Sequence, residues 1–184
     1  MRILVTGGAG FIGSNFVHYA LNEHEDDEIV TLDALTYAGS HENLDGVLDN
    51  PRHQFVEGNI RDEELVADLV EDVDAIVNFA AESHVDRSIE GAKPFVTTNV
   101  QGTQTLLDAA KDADIDRFLQ VSTDEVYGQI MDGKFSETDR LNPRNPYSAT
   151  KAGADLLAQS FQRTHGLPVL ITRTCNNFGP RQHS

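Results

Sequence analysis

The chain carries 30 Asp and Glu against 14 Lys and Arg over 184 residues, a formal charge of -16, which argues against nucleic acid and anionic membranes as partners. That length buries a real core and suits one domain, or one domain and part of another. Hydrophobic residues make up 39% of the chain, yet no apolar run approaches the roughly 18 residues that a membrane-spanning helix needs.

Arg2-Ile3-Leu4-Val5-Thr6 is an apolar, β-branched run and predicts the first strand. It starts the chain directly, which leaves no room for a signal peptide. Gly7-Gly8-Ala9-Gly10-Phe11-Ile12-Gly13 follows, and then an apolar-sided helix over about 11–22. Strand, glycine turn and helix form the context in which G-x-G-x-x-G carries meaning, and Gly8, Gly10 and Gly13 fill that pattern. Gly7 permits the tight turn, and Gly10 lets the backbone approach a pyrophosphate. Gly13 lets helix and strand pack closely, and the free N–H groups at the helix start face the anion. Ile29-Val30-Thr31-Leu32 continues a second strand over about 28–32. Asp33 stands just past it, where an acid accepts hydrogen bonds from ribose hydroxyls and repels a 2′-phosphate, favouring NAD over NADP.

The loop Asp33–Gly39 leads to a short helix near 41–48, a turn at Asn50-Pro51 and a third strand over 54–58. Asp62 is placed to cap a helix over Glu63–Val70. Ala75–Ala81 reads as the fourth strand and its carboxyl end, and Glu82–Ser88 as a polar loop. A long helix follows over about Pro94–Asp112, with proline in its first turn. Arg117–Ser122 is the fifth strand, Thr123–Pro146 is irregular, and Tyr147–His165 is an amphipathic helix stopped by Gly166. Val169–Arg173 is the sixth strand, before an irregular tail. The alternation predicts an α/β, Rossmann-type, doubly wound parallel sheet with helices on both faces, occupying residues 1–184 as one domain. The expected strand order is 3-2-1-4-5-6, with ligands at the carboxyl ends of the strands, where every polar motif falls.

Tyr147 and Lys151 are four apart and share one helix face. A nearby ammonium and a positive nicotinamide ring favour tyrosinate, so the Tyr147 pKa is expected to fall below its ordinary value near 10. Such a tyrosine takes a proton from a sugar hydroxyl as hydride leaves the same carbon. Thr123 is placed to hold that hydroxyl. Asp124 and Glu125 are adjacent carboxylates just past a strand end. They read either as a proton donor and acceptor split by environment, or as two solvated loop acids.

The single cysteine, Cys175, forms no internal disulfide, and the seven histidines show no C-x-x-C or H-x-x-x-H spacing. A reducing, cytoplasmic setting and no metal site are expected. Acids cluster at Glu23–Glu28, Glu71–Asp72 and Asp112–Asp116. The plain reading is a solvated surface. The sharper one is a halophilic protein, whose self-repulsion is tolerated where salt screens it.

Taken together, these motifs resemble the extended short-chain dehydrogenase/reductase family, and within it the dTDP-glucose 4,6-dehydratases. The resemblance runs along essentially the whole chain. It is carried by Thr6–Ser14, Asp33–Gly39, Ala80–Ser88, Ser122–Gly128, the Tyr147/Lys151 pair and Thr172–Pro180. It implies that Tyr147 deprotonates the sugar 4-hydroxyl while NAD takes the hydride from carbon 4. Glu125 then removes the carbon-5 proton, Asp124 protonates the leaving 6-hydroxyl, and hydride returns to carbon 6. The implied product is dTDP-4-keto-6-deoxyglucose.

The resemblance also places Ser83, Thr123 and Asn176 at the substrate. Around the cofactor it places Phe11, Ile12, Asp33, Ala34, Leu35, Thr36, Ile60, Phe79, Ala80, Ala81, Thr98, Lys151 and Asn177, with Asn59 at the adenine where the family commonly has Asp. Asn78 replaces a usual histidine and is read as peripheral. The resemblance implies a homodimer through the two long helices, and a carboxyl-terminal substrate domain that lies mostly beyond Ser184. Other readings stay open: another nucleotide-sugar dehydratase, epimerase or decarboxylase of the same family, or a non-catalytic NAD-binding fragment.

Overall fold

The computed structural model describes residues 1–182. Six parallel strands form one sheet, ordered β3-β2-β1-β4-β5-β6 as the alternation predicts. They are β1 (Arg2–Thr6), β2 (Glu28–Asp33), β3 (His53–Glu57), β4 (Ala75–Asn78), β5 (Arg117–Thr123) and β6 (Val169–Thr174). The helices are α1 (Phe11–Glu23), α2 (Glu63–Val70), α3 (Val85–Glu90), α4 (Lys93–Phe95), α5 (Thr103–Asp112) and α6 (Pro146–His165). No helix among the described residues is long and apolar enough to cross a membrane.

Alternation along the strands divides the core in two. Leu4, Ile76 and Phe118 pack with Val66 and Val70 of α2, Leu106 and Leu107 of α5 and Ala158 of α6. Ile3, Val5 and Val77 pack on the other face with Val17, Ala20 and Leu21 of α1. β1 and β4 are covered on both faces, so their sequences read as nearly unbroken apolar runs.

Polar residues cross the middle of the sheet at one level. Thr6 Oγ1 donates to Asn78 Oδ1 at 2.6 Å, and Asn78 Nδ2 donates to Gln120 Oε1 at 2.9 Å and to Thr103 Oγ1 at 3.3 Å. Thr6 faces Asn78 in register and Asn78 faces Gln120. Asn78 is therefore wholly buried and a hub of the sheet rather than peripheral. A side chain with both an acceptor and two donors satisfies its neighbours on either side.

Several boundaries differ from expectation. The helix near 41–48 is a single 3-10 turn, His41–Leu44, capped by the Ser40 hydroxyl, and Gly46 then leaves helical space at φ +86°. The fourth strand ends at Asn78 because the next residues pass against the glycine turn, where the Gly7 backbone meets Phe79 and Ala80. The loop over 82–88 contains the start of α3. The long helix is built from α4, a π-helical stretch Val96–Gly102 and α5 in direct succession. The irregular stretch after β5 opens with a 3-10 turn, Asp124–Tyr127.

Candidate active site

A cavity of about 520 Å3 lies along the carboxyl ends of the strands, from the glycine turn after β1 to the first turns of α6. Gly7 takes φ +69°, and a Cβ there would overlap the backbone of Phe79 and Ala80. A Cβ on Gly13 would overlap the Gly7 carbonyl, so α1 seats on the turn only with glycine at that position. Gly7, Gly10 and Gly13 line the cavity. Gly8, counted in the motif, is instead buried with its α-carbon against Thr31 of β2.

α1 starts with no side-chain cap and no acid in its first turn, whereas α2 of this acidic chain starts with Asp62, Glu63 and Glu64. An uncapped helix start with spare N–H groups at a cavity fits the pyrophosphate of a dinucleotide.

Asp33 closes β2 and is only 8% exposed. Its Oδ2 accepts from the Ala9 N–H at 2.9 Å and its Oδ1 from the Leu35 N–H at 2.9 Å. Burial pushes its pKa up, and those two backbone bonds pull it back. The carboxylate braces the glycine turn as well as edging the cavity.

At the other end, Thr123 caps the acid turn by accepting from the Glu125 N–H at 3.2 Å. Asn145 caps α6 by accepting from the Ser148 N–H at 2.8 Å, and its amide donates to Glu125 Oε2 at 3.1 Å. One side chain thus ties the helix start to a carboxylate of the acid pair. Tyr147 sits in the first turn of α6, and its N–H donates to Ser88 Oγ at 3.2 Å.

Burial pushes the Tyr147 phenol up to about 12. The Glu125 charge adds to this, and the Thr123 hydroxyl pulls the other way. The expected lowering is not produced by the protein's own groups. The Lys151 ammonium donates to the Val121 carbonyl at 2.7 Å. Burial brings its pKa down to about 8, with Asp155 holding it up.

The cavity brings together nearly all the residues singled out in the sequence. From the β1 side come Gly7, Gly10, Phe11, Ile12 and Gly13; from the end of β2, Asp33, Ala34 and Thr36; after β3, Asn59 and Ile60. Phe79, Ala80, Ala81 and Ser83 follow β4, and Thr98 comes from the π-helical stretch. Thr123, Glu125, Tyr147, Lys151, Asn176 and Asn177 complete it. Asn59 Oδ1 is taken by the Arg61 N–H and Nε, leaving the amide N–H groups as its free side.

Two residues fall outside the lining. Leu35, at φ +46°, packs against the α1-side core, so it meets the site only through its N–H to Asp33. Asp124 sits at the rim. The Thr123 hydroxyl lies 3.4 Å from its Oδ1, and its bond and charge push the Cys175 thiol upward.

Three supporting residues had no role assigned from the sequence, although Tyr37 lies within the Asp33–Gly39 motif. Asn99, 2% exposed, accepts from the Glu82 N–H at 2.8 Å and donates to the Glu82 carbonyl at 2.9 Å and to Thr150 Oγ1 at 3.0 Å. It pins the loop after β4 to α6 from within the π-helical stretch, a distortion often found at functional sites. Asn145 is the second. Tyr37 is the third: it accepts from the Ser83 N–H at 3.3 Å and lies under the Arg87 guanidinium at 4.4 Å.

A doubly wound sheet whose glycine turn and Tyr–Lys helix share one cavity defines the short-chain dehydrogenase/reductase class. The profile of the GDP-mannose 4,6 dehydratase family matches residues 4–184, and the chain belongs to that family. It is 78% identical over 183 residues to the low-salt glycan biosynthesis protein Agl12 of Haloferax volcanii, covering all of this chain and 59% of that protein. It is 52% identical over 186 residues to a dTDP-glucose 4,6-dehydratase of Mycobacterium tuberculosis, covering all of this chain and 55% of that one. Among solved structures, it superposes with a TM-score of 0.96 and 58% identity on DesIV, a dTDP-glucose 4,6-dehydratase from Streptomyces venezuelae with NAD and TYD bound, covering all of this chain and 58% of DesIV. The chain spans little more than half the length of these proteins.

Proposed function

We propose that the chain is the dinucleotide-binding part of an NAD-dependent nucleotide-sugar 4,6-dehydratase acting on dTDP-glucose. The observation that carries this reading is the placement of Glu125. Asn145 holds this carboxylate beside the start of α6, and its charge reaches the Tyr147 phenol. A base at that position next to the Tyr–Lys pair suits removal of the carbon-5 proton, a step that 4-epimerisation does not need.

Residues of the glycine turn, Asp33 and the loops after β3 and β4 would hold NAD, which when bound supplies a hydride acceptor that is restored within the turnover. Tyr147 takes the proton of the 4-hydroxyl and Thr123 orients that hydroxyl. Glu125 takes the carbon-5 proton, and Asp124 delivers one to the departing 6-hydroxyl. The two proton steps are coupled: protonating Glu125 removes a charge that keeps the Tyr147 phenol protonated. The likeness to DesIV, whose structure holds NAD, supports the cofactor. The exposed, free Cys175 suits a reducing cytoplasm. A homodimer through the two long helical stretches, about 94–112 and 147–165, is part of the same reading, and sedimentation measures it.

The test is incubation with dTDP-glucose in deuterated buffer. A 4-keto chromophore in alkali and deuterium at carbon 5 are expected. Glu125→Gln should abolish both while sparing NAD binding. Turnover without carbon-5 exchange would point to an epimerase, and NAD-dependent thermal stabilisation alone to a binding module. The first result overturns the dehydratase reading; the second overturns turnover by this chain on its own.

A further inference from the structure

Behind the candidate active site lies a buried charged cluster that the proposed chemistry does not use. Tyr147, Lys151 and Asp155 stand four apart along α6, on one face of the helix. Asp155 is fully buried. Its Oδ2 accepts from Arg173 Nε at 2.8 Å. Its Oδ1, like the Ser122 hydroxyl, has no hydrogen-bond partner among the described residues. Ser122 is near enough to favour the carboxylate's charged form, and it faces Arg173 in the β5–β6 register.

Arg173 also donates through Nη1 to Tyr127 Oη at 2.6 Å, with its guanidinium 5.0 Å from the Tyr127 ring centre. Tyr127 is the last residue of the Asp124–Tyr127 turn, and β6 runs on toward Asn176. One ion pair therefore fastens three elements that each bring residues to the cavity.

We propose that Asp155 and Arg173 are a positioning pair for this site. The Asp155 carboxylate, one helical turn from Lys151 on the same face of α6, is the counter-charge that favours the buried ammonium bonded to the Val121 carbonyl. The Arg173 guanidinium locks the end of the acid turn to α6 and β6. This deepens the dehydratase reading and rests on it for its functional meaning.

Without a counter-charge, a buried ammonium yields its proton. The charged and titratable groups on the elements packed around Lys151 are Tyr147 and Asp155 on α6, Arg173 on β6, and Asp124 and Glu125 on the acid turn. At this level β5 brings only carbonyl and hydroxyl groups. Asp155 lies one helical turn from Lys151 on the same face of α6 and has the sign that favours the ammonium. It cannot be replaced by Arg173, which has the wrong sign.

The test follows the Lys151 side-chain nitrogen by NMR titration of the intact chain, a readout that needs no turnover and so fails or succeeds independently of the dehydratase reading. Asp155→Asn should lower the Lys151 half-protonation point by about one pH unit. A double variant, Asp155→Asn with Arg173→Met, leaves no unpaired Arg173 and keeps the comparison open if the single variant unfolds; it should show a fall in the same direction, smaller because a cation is removed with the carboxylate. Arg173→Lys keeps the charge but loses the forked contact. It should leave the Lys151 titration in place and change the Tyr127 ring signals. In the active protein, Asp155→Asn should move the alkaline limb of kcat to lower pH with the KM for NAD unchanged. An unshifted Lys151 titration in the folded Asn variants would overturn the counter-charge role. Unchanged Tyr127 signals in the Lys variant would overturn the lock.

Discussion

Replacing Lys151 by Met is expected to stabilise the fold while ending turnover. The side chain is 4% exposed, and burial brings its pKa from 10.5 to about 8 against the opposing pull of Asp155. A fall of that size means the folded protein holds the charged form at a cost of about 3 kcal/mol. The substitution also loses the hydrogen bond to Val121, about 1 kcal/mol, while Met refills the stem volume with no charge. The net expectation at pH 7 is a gain of about 2 kcal/mol.

The sign is fixed by linkage. The folded pKa lies below the unfolded one, so the penalty is complete below about pH 8. It fades as pH rises toward 10.5 and the unfolded chain alone keeps its proton, and it is absent above that. This group should make the parent chain gain stability across that window, and the Met variant should lack that gain. Urea is the suitable denaturant because guanidinium salts screen a net charge of -16. With a urea slope of about 2 kcal/mol/M, the midpoint should rise by about 1 M. A midpoint that drops at pH 7, or a pH dependence identical to the parent's, would refute an ionised lysine held in this pocket at that cost.

Asp33→Ala should weaken NAD binding and also destabilise the chain by about 2 kcal/mol or more, since the Ala9 and Leu35 N–H groups both lose their acceptor; a lower affinity at unchanged urea midpoint would limit Asp33 to ribose binding. Asn78→Val should cost about 2–3 kcal/mol by leaving Thr6 and Gln120 unpartnered in the sheet, with the fraction that remains folded binding NAD normally. Loss of binding in that folded fraction would place Asn78 in the site. A melting series in KCl should show Tm rising with salt as the surplus carboxylates are screened; equal Tm at low and molar salt would remove the salt-adapted reading.

The sheet was legible because its strands carry apolar and β-branched residues at a spacing that leaves room for a helix, and Pro, Gly and Asp62 mark the breaks. The site was legible where a backbone demand chose the residue: Gly7 at positive φ, and Gly13 where no Cβ fits. What stayed hidden depends on side chains meeting across long separations. Asn99 gives no pattern, because its partner is the Glu82 backbone, 17 residues earlier. Asn78 looked marginal until Thr6 and Gln120 stood beside it. The phenol of Tyr147 illustrates the same limit. Its helix spacing is local, but its pKa is set mainly by burial and by Glu125, which only the folded chain brings near.

β1 precedes the other five strands of this sheet along the chain, and it ends in the middle of the sheet. Its partner across the Thr6–Asn78 bond lies 72 residues later, and the next link, Asn78 to Gln120, another 42. During translation one edge of β1 therefore stays bare until β4 leaves the ribosome, with its backbone amides open to another nascent chain. Contacts of such long sequence separation make closure slow. The buried Asn78 amide also supplies a check on that closure, since an apolar strand slipped into its place would leave Thr6 and Gln120 with no partner.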